Sequence, residues 1–462
     1  MSDPAAAFDP LPIIVGAQAA RATIFQKRVA NEGALSDIER GLIAKLYPEM
    51  AAAHPELVEG RPGADDAVRR IIAEVRRDGD AALRRISEAL DGFAPDPIRV
   101  DPSEFAAARK SIDPKLIGAL QAAAERVRDY HERQLEHAMQ SFEHDGLGQI
   151  VRPIARVGLY VPGTTAVYPS SVLHTAIPAI VAGVEDVCIA SPVSPDGQVA
   201  PIKLVAAEIA GVSAIYKIGG AQAVAALAYG TESVPAVDKI FGPGNRFVTL
   251  AKRAVYGDVG IDALYGPTET VVVTDDSADP ELCAADLLAQ AEHDTIAAPL
   301  LITSSERVAR GVAEAVPRQA AQLPRGGIAL QAFHNRGGLI LAEDLATAIE
   351  LANEYAPEHM ALVVADEQAA VDRVRNAGGL FVGEASPEAL ADYIAGPSHV
   401  MPTGGSARYA SPLHVDAFRK VTSVLRAGDD LLQRVAEDAI TIAHAEGLQA
   451  HARSLEIRRP DR

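Results

Sequence analysis

Apolar and polar positions follow two regimes along the chain. In the first, up to about residue 150, apolar residues recur at helical spacing. A helix is expected from Asp65 to about Arg77, with Val68, Ile71, Ile72 and Val75 on one face, closed by Asp78-Gly79. A second is expected over 81–90 and a third over 113–142. The third is charged on one side, and its His131, His137 and His144 read as part of a solvated face. Residues 1–58 are alanine-rich, with a weak helical pattern at 17–29 and 35–53.

From Ile154 the pattern changes. Short apolar runs at 157–161, 184–190, 214–218 and 239–241 read as strands, with helices over 170–181, 201–209, 221–229 and 245–255. A second set begins at Thr268, with strands at 270–274, 300–303, 338–341, 361–364 and 380–382. Strands alternating with helices imply parallel sheets joined by crossover helices, so the chain reads as two successive α/β units. From about Val415 onward the pattern is mostly helical.

At 462 residues the chain exceeds what one hydrophobic core serves. Its net charge of −19 argues against nucleic acid and anionic membranes as partners, since both require a basic face. The two cysteines, Cys188 and Cys283, sit in apolar or helical segments and read as buried small hydrophobes. With no disulfide framework, no signal-peptide pattern and no apolar run long enough to span a bilayer, a cytoplasmic protein is expected.

Candidate chemistry centres on Asn353-Glu354-Tyr355-Ala356-Pro357-Glu358-His359. An amphipathic helix over 343–355 leads in, Pro357 stops it, and an apolar β-branched run at 360–365 follows. Glu358 and His359 therefore fall on a helix-to-strand junction at a sheet edge, where open α/β folds collect their ligands. A carboxylate beside an imidazole can divide proton work between water and a substrate hydroxyl. The dipeptide Glu-His occurs four times, so its surroundings must single out one copy. Glycine-rich turns follow three strands: Pro162-Gly163-Thr164, Gly219-Gly220-Ala221-Gln222 and Gly242-Pro243-Gly244-Asn245. Each opens a helix, so each suits either an anionic ligand or simply a tight turn. Gln290 and His293 share one helix face, Asp392 is an aspartate inside a short helix that starts at Ser386-Pro387, and Glu446 and His451 lie in the tail. Two imidazoles and a carboxylate, His293, His451 and Asp392, with Gln290 as a fourth donor, would suit zinc.

Taken in order, Gly158-Leu-Tyr-Val-Pro-Gly163, Gly219-Gly-Ala-Gln-Ala223, Phe241-Gly-Pro-Gly-Asn245, Gln290-Ala-Glu-His293, Asn353 to His359, and Asp392-Tyr393 with His399 resemble the histidinol dehydrogenase family, over roughly residues 65–451. The resemblance implies two Rossmann-like parallel-sheet domains with small helical N- and C-terminal extensions, in an intertwined homodimer. It assigns 1–58 to an N-terminal extension, 59–157 and 268–413 to a zinc and substrate domain, 158–267 to an NAD domain, and 414–462 to a tail reaching the partner subunit. The implied reaction is oxidation of L-histidinol through L-histidinal to L-histidine, reducing two NAD. Glu358 is similar to the family's water-activating base, and His359 to the base that takes the alcohol proton. Gln290, His293, Asp392 and His451 match zinc ligands that also meet the substrate. Thr268, His399 and Glu446 match substrate contacts, while Tyr160, Gln222 and Asn245 match NAD contacts. Thr164 stands where the family usually has a second glycine, Thr268 where it has serine, and His174 where methionine is expected. These departures also fit a paralogue acting on another amino alcohol or polyol. A catalytically silent ligand-binding protein is the reading from a different class, and the full set of bases and metal ligands speaks against it.

Overall fold

The structure is a computed structural model that describes residues 10–25, 37–48, 61–163, 167–194 and 196–458. Its strands are β1 (Ile13–Val15), β2 (Phe142–His144), β3 (Leu147–Pro153), β4 (Arg156–Tyr160), β5 (Asp186–Ala190), β6 (Ala214–Tyr216), β7 (Lys239–Phe241), β8 (Gly260–Ile261), β9 (Glu269–Thr274), β10 (Ala298–Thr303), β11 (Gly338–Leu341), β12 (His359–Val363), β13 (Gly379–Val382) and β14 (Arg419–Leu425).

Two parallel sheets carry the fold, one in the order β6-β5-β4-β7-β8 and the other β1-β11-β10-β9-β12-β13. In the six-stranded sheet Val271 and Val273 enter one apolar layer and Val272 the opposite one, with Leu300 and Leu301 divided in the same way. Strands buried on both faces read as continuous apolar runs, which is why these strands were visible in the sequence.

The helices preceding the first sheet belong to its layers. The Arg61–Asp91 helix breaks at Gly79 (φ +53°), as the Asp78-Gly79 stop predicts, and packs on helices Gly220–Tyr229 and Arg246–Val255. Helices Pro102–Ser111 and Pro114–Glu136 pack on Pro201–Ala210 and Pro169–Val181. This packing differs from the grouping of 59–157 with 268–413. The physical reason lies in the crossover helices: Ala221 to Leu227 are buried without interruption, and a helix that is apolar all round needs a second layer outside it.

Four further expectations are corrected. The N-terminal extension is not purely helical, because β1 extends the six-stranded sheet by pairing with β11. The third helix ends at Glu136, and 142–153 forms the β2–β3 hairpin on an Asp145-Gly146 turn with both φ values positive. The stretch from Val415 contributes β14, antiparallel to β3, before the tail turns helical. His131 is fully buried rather than solvated, with Nδ1–H donating to the Val127 carbonyl, whereas His137 and His144 are exposed. Both cysteines are buried and free. Among the described residues no helix is long and apolar enough to cross a membrane.

Candidate active site

The Leu345–Tyr355 helix starts on Asp344, whose side chain accepts from the Thr347 N–H. It ends at Ala356 in the left-handed region (φ +51°), ahead of Pro357. That reversal delivers buried Glu358 to the residue before β12 and buried His359 to its first position, opposite Thr270 of β9 and Gly379 of β13. The pair thus sits at the amino-terminal ends of these strands. The carboxyl-terminal edge, where ligands usually collect in open sheets, is not the one used here. The reason is that the helix preceding β12, not the one following it, sets the junction.

Around this pair the sequence-distant candidates converge. Glu358 accepts from the Thr268 hydroxyl at 2.6 Å and from the Glu269 N–H at 3.1 Å. Thr268 Oγ1 also lies 3.1 Å from Gln290 Oε1, and Gln290 donates to Asp392 at 3.4 Å. His359 Nδ1–H donates to the Glu269 carbonyl at 3.2 Å, while its Nε2 has no hydrogen-bond partner and lies 4.0 Å from Asp392 Oδ1. Burial raises the Glu358 carboxyl to about 7, against the pull of His359 and the two donors. Burial by itself would lower the His359 imidazole. The carboxylates of Glu358, Glu388 and Asp392 outweigh it and hold the ring up at about 9.

His399 joins from the loop beyond Asp392. Its Nδ1–H donates to the Asp392 carbonyl at 2.9 Å, which leaves Nε2 to accept from the Ser171 hydroxyl at 3.0 Å. His174 stacks on the same ring, centroids 4.4 Å apart, and its Nδ1 accepts from the His399 N–H. The histidine found where methionine was expected is thus a support for His399. Burial keeps both rings below the ordinary imidazole value.

The sequence missed two residues of this neighbourhood. Glu388, buried under the cluster, accepts from the Thr270 hydroxyl through one oxygen and leaves the other without a hydrogen bond; burial raises it to about 7. A glutamate in a first helical turn is ordinary, so no signal marked it. Ser171 lies in the first turn of the Pro169–Val181 helix, and nothing in the sequence set it apart from the serine beside it.

Not every predicted residue is drawn in. His293 follows the Pro280–Ala291 helix, exposed, with Nδ1–H directed at the Ala289 and Gln290 carbonyls, which leaves Nε2 as a ligand atom. Glu446 and His451 are exposed on the tail, whose helices Asp429–Ala445 and Gln449–Glu456 pack on each other through Ile440, Ala443 and Ala452. Among the described residues no hydrogen bond or ion pair links either to the cluster, and no group of three His, Cys, Asp or Glu side chains stands ready to hold a metal ion. Within one chain the predicted zinc set therefore stays incomplete. Asp392 and the nearby His293 are of the side-chain types that bind zinc, and Gln290 could add only its Oε1, which here accepts from the Thr268 hydroxyl.

The predicted cofactor residues lie at the carboxyl edge of the other sheet. Tyr160 ends β4 and its hydroxyl accepts from the Gly220 N–H at 3.1 Å. Gln222 is buried, with its amide oxygen lacking a hydrogen-bond partner among the described residues. Asn245 caps the Arg246–Val255 helix by accepting from the Val248 N–H. An unsatisfied buried amide beside a strand-to-helix turn fits a polar ligand such as a dinucleotide. Thr164 lies outside the described residues.

The family profile for histidinol dehydrogenase matches residues 59–459. A histidinol dehydrogenase from Deinococcus radiodurans is 48% identical over 445 residues, covering 96% of this chain and 98% of its own. The chain belongs to the histidinol dehydrogenase family. Another member, from Moorella thermoacetica, is 50% identical over 402 residues, covering 86% of this chain and 95% of its own. The crystal structure of the histidinol dehydrogenase from Elizabethkingia anophelis superposes with a TM-score of 0.81 at 34% identity, covering 85% of this chain and 91% of that one. The α/β fold with parallel sheets is the family's, and the profile match begins close to the start of the Arg61–Asp91 helix.

Proposed function

We infer that this chain oxidises L-histidinol through L-histidinal to L-histidine with two molecules of NAD. The observation that carries the reading is the convergence of buried Glu358, His359 and Gln290 with partly buried Thr268 and Asp392 in one cluster, in a chain of this family. NAD supplies the hydride acceptor for both oxidations. Gln290, His293, Asp392 and His451 would hold zinc, which would supply a positive charge to anchor the substrate and to offset carboxylate charge beside His359.

The residues divide the proton work. His359, once it has given up its own proton, takes the hydroxyl proton of the alcohol as hydride leaves the same carbon. Its Nδ1–H bond to the Glu269 carbonyl aims Nε2, the atom without a partner, at the substrate. Glu358, raised toward neutrality by burial, takes a proton from water as that water adds to the aldehyde. The Thr268 hydroxyl and the Glu269 N–H both bond Oε2 and fix the carboxylate, which leaves Oε1 to receive the proton. Thr268 and His399 contact the substrate, with Glu446 and His451 supplied by the tail of a second copy in a cytoplasmic homodimer. Residues 158–267 bind NAD through Tyr160, Gln222 and Asn245, and 268–413 bind zinc and substrate.

NADH formation with L-histidinol, followed with and without a chelator, tests the reading. Turnover that chelation abolishes and zinc restores is expected, as is about one zinc per chain, lost in His293→Ala. Folded, zinc-loaded protein that makes no NADH from histidinol refutes the substrate, and full turnover by metal-free protein refutes the zinc.

A further inference from the structure

β4 and β7 are neighbours in the five-stranded sheet, but the chain leaves them in opposite directions, β4 toward β5 and β7 toward β8. The turns after them, at 161–163 and 242–245, therefore flank the crevice at which such sheets take a dinucleotide. Each turn is held from beneath by a buried lysine on a following helix.

Lys203, 2% exposed, donates to the Pro162 carbonyl at 2.7 Å and to the Ser191 hydroxyl at 2.9 Å. Lys252, 1% exposed, donates to the Gly242 carbonyl at 3.0 Å and pairs with Asp262. Asp262 in turn accepts from the Gly242 N–H at 2.7 Å, so the pair grips both polar groups of one glycine. The glycines fit the clamps. A Cβ on Gly163 would collide with the Lys203 ammonium, and one on Gly242, at φ +107°, with the Tyr160 carbonyl.

Burying an ammonium costs several kcal/mol, and among the described residues Lys203 has only neutral acceptors to offset that cost. Burial lowers it to about 8. What the arrangement yields is orientation. In a trans peptide the carbonyl and the following N–H point in opposite directions. Drawing the Pro162 carbonyl down onto Lys203 turns the Gly163 N–H the other way, and with both groups of Gly242 taken and no N–H on Pro243, the backbone donors that turn can offer are those of Gly244 and Asn245.

We propose that Lys203 and Lys252 are positioning residues for the dinucleotide: two buried ammonium clamps that preset the turns after β4 and β7 before NAD arrives. The proposal rests on the reading of residues 158–267 as the NAD-binding part. A preset pocket affects cofactor capture more than the chemical step, so removing a clamp raises KM for NAD and leaves kcat at saturating NAD nearly intact.

The test compares Lys203→Met with the double variant Lys252→Met/Asp262→Asn, which leaves no lone buried charge. Gly163→Ala serves as the independent variant, since it keeps the charge but forces the ammonium off the carbonyl from a turn rather than from the core. Readouts are KM for NAD, KM for histidinol, kcat, and NADH binding without substrate by fluorescence. The expected result is a rise of roughly tenfold or more in KM for NAD and in the NADH dissociation constant, the loss expected for a hydrogen bond to a charged group, with KM for histidinol unchanged. Unchanged NADH binding in folded Lys203→Met and Gly163→Ala overturns the proposal alone. An equal rise in both KM values overturns it too, as a general structural effect. A wild type that binds no NADH overturns both the proposal and the cofactor reading. A wild type that binds NADH but ignores histidinol, with variants that lose the binding, supports the clamps and overturns only the substrate.

Discussion

Replacing Glu388 with glutamine removes a charge that the fold resists. The side chain is 1% exposed, and one oxygen has no hydrogen-bond partner. Burial raises its carboxyl from 4.5 to about 7. The folded state therefore keeps a proton that the unfolded chain loses, so stability from this group falls as pH rises from about 4.5 through 7. At 1.36 kcal/mol per pKa unit, the folded wild type gives up roughly 2–3 kcal/mol between pH 5 and pH 8 that Glu388→Gln does not. The chain contains no tryptophan, so urea unfolding of chelator-treated protein is best followed by circular dichroism at several pH values. If the chain unfolds in steps, the step that includes the six-stranded sheet should carry the difference. Wild-type and Glu388→Gln stabilities that run parallel from pH 5 to pH 8 would refute the argument. The carboxyl would then be solvated or paired in a way its burial denies.

Two further outcomes are expected. Glu358→Gln should lose roughly 100- to 10,000-fold in oxidation of histidinal, the worth of a general base, and less in oxidation of histidinol; equal small losses in the two steps, assayed with each substrate separately, would show the roles are misassigned. His293→Ala and His451→Ala should each be inactive as homodimers, yet a verified heterodimer should regain about half the wild-type activity through its one intact site; heterodimers that stay dead although both mutants fold would place the tail on its own chain's site.

How much could be read from the chain varies with what each residue reports. β9, β10 and β12 announced themselves because both of their faces are buried. β14 did not, because most of its side chains are exposed and no apolar rhythm marks it. The β2–β3 hairpin left a legible sign in Asp145-Gly146, a dipeptide suited to a two-residue turn, which the helical reading of 113–142 left unused. The Glu358-His359 pair was legible through its flanking proline and strand. That it lies at the amino-terminal strand ends was not, since sequence gives strand order in time and not which edge faces a neighbour. Glu388, Ser171 and His174 matter only through what sits across from them, 118, 228 and 225 residues away for the bonds to Thr270 and His399, and no local pattern encodes such a distance.

The seven-residue pairing of β14 with β3, from Arg419 opposite Pro153 to Leu425 opposite Leu147, fixes the root of the tail. Arg426 adds one more bond, to the Gly146 carbonyl, and only Ala427 and Gly428 separate it from the Asp429–Ala445 helix. A loosely tethered end roams, and at high effective concentration it would find the nearest site, its own chain's included. An arm with a two-residue joint has a direction as well as a reach, so it cannot trade one destination for another by diffusing. On the shared-site proposal a lone chain then has nothing with which to complete itself. Dilution would switch the enzyme off, with activity falling faster than protein concentration once pairs begin to part, and a flexible insert at Ala427-Gly428 would let a single chain begin to serve itself.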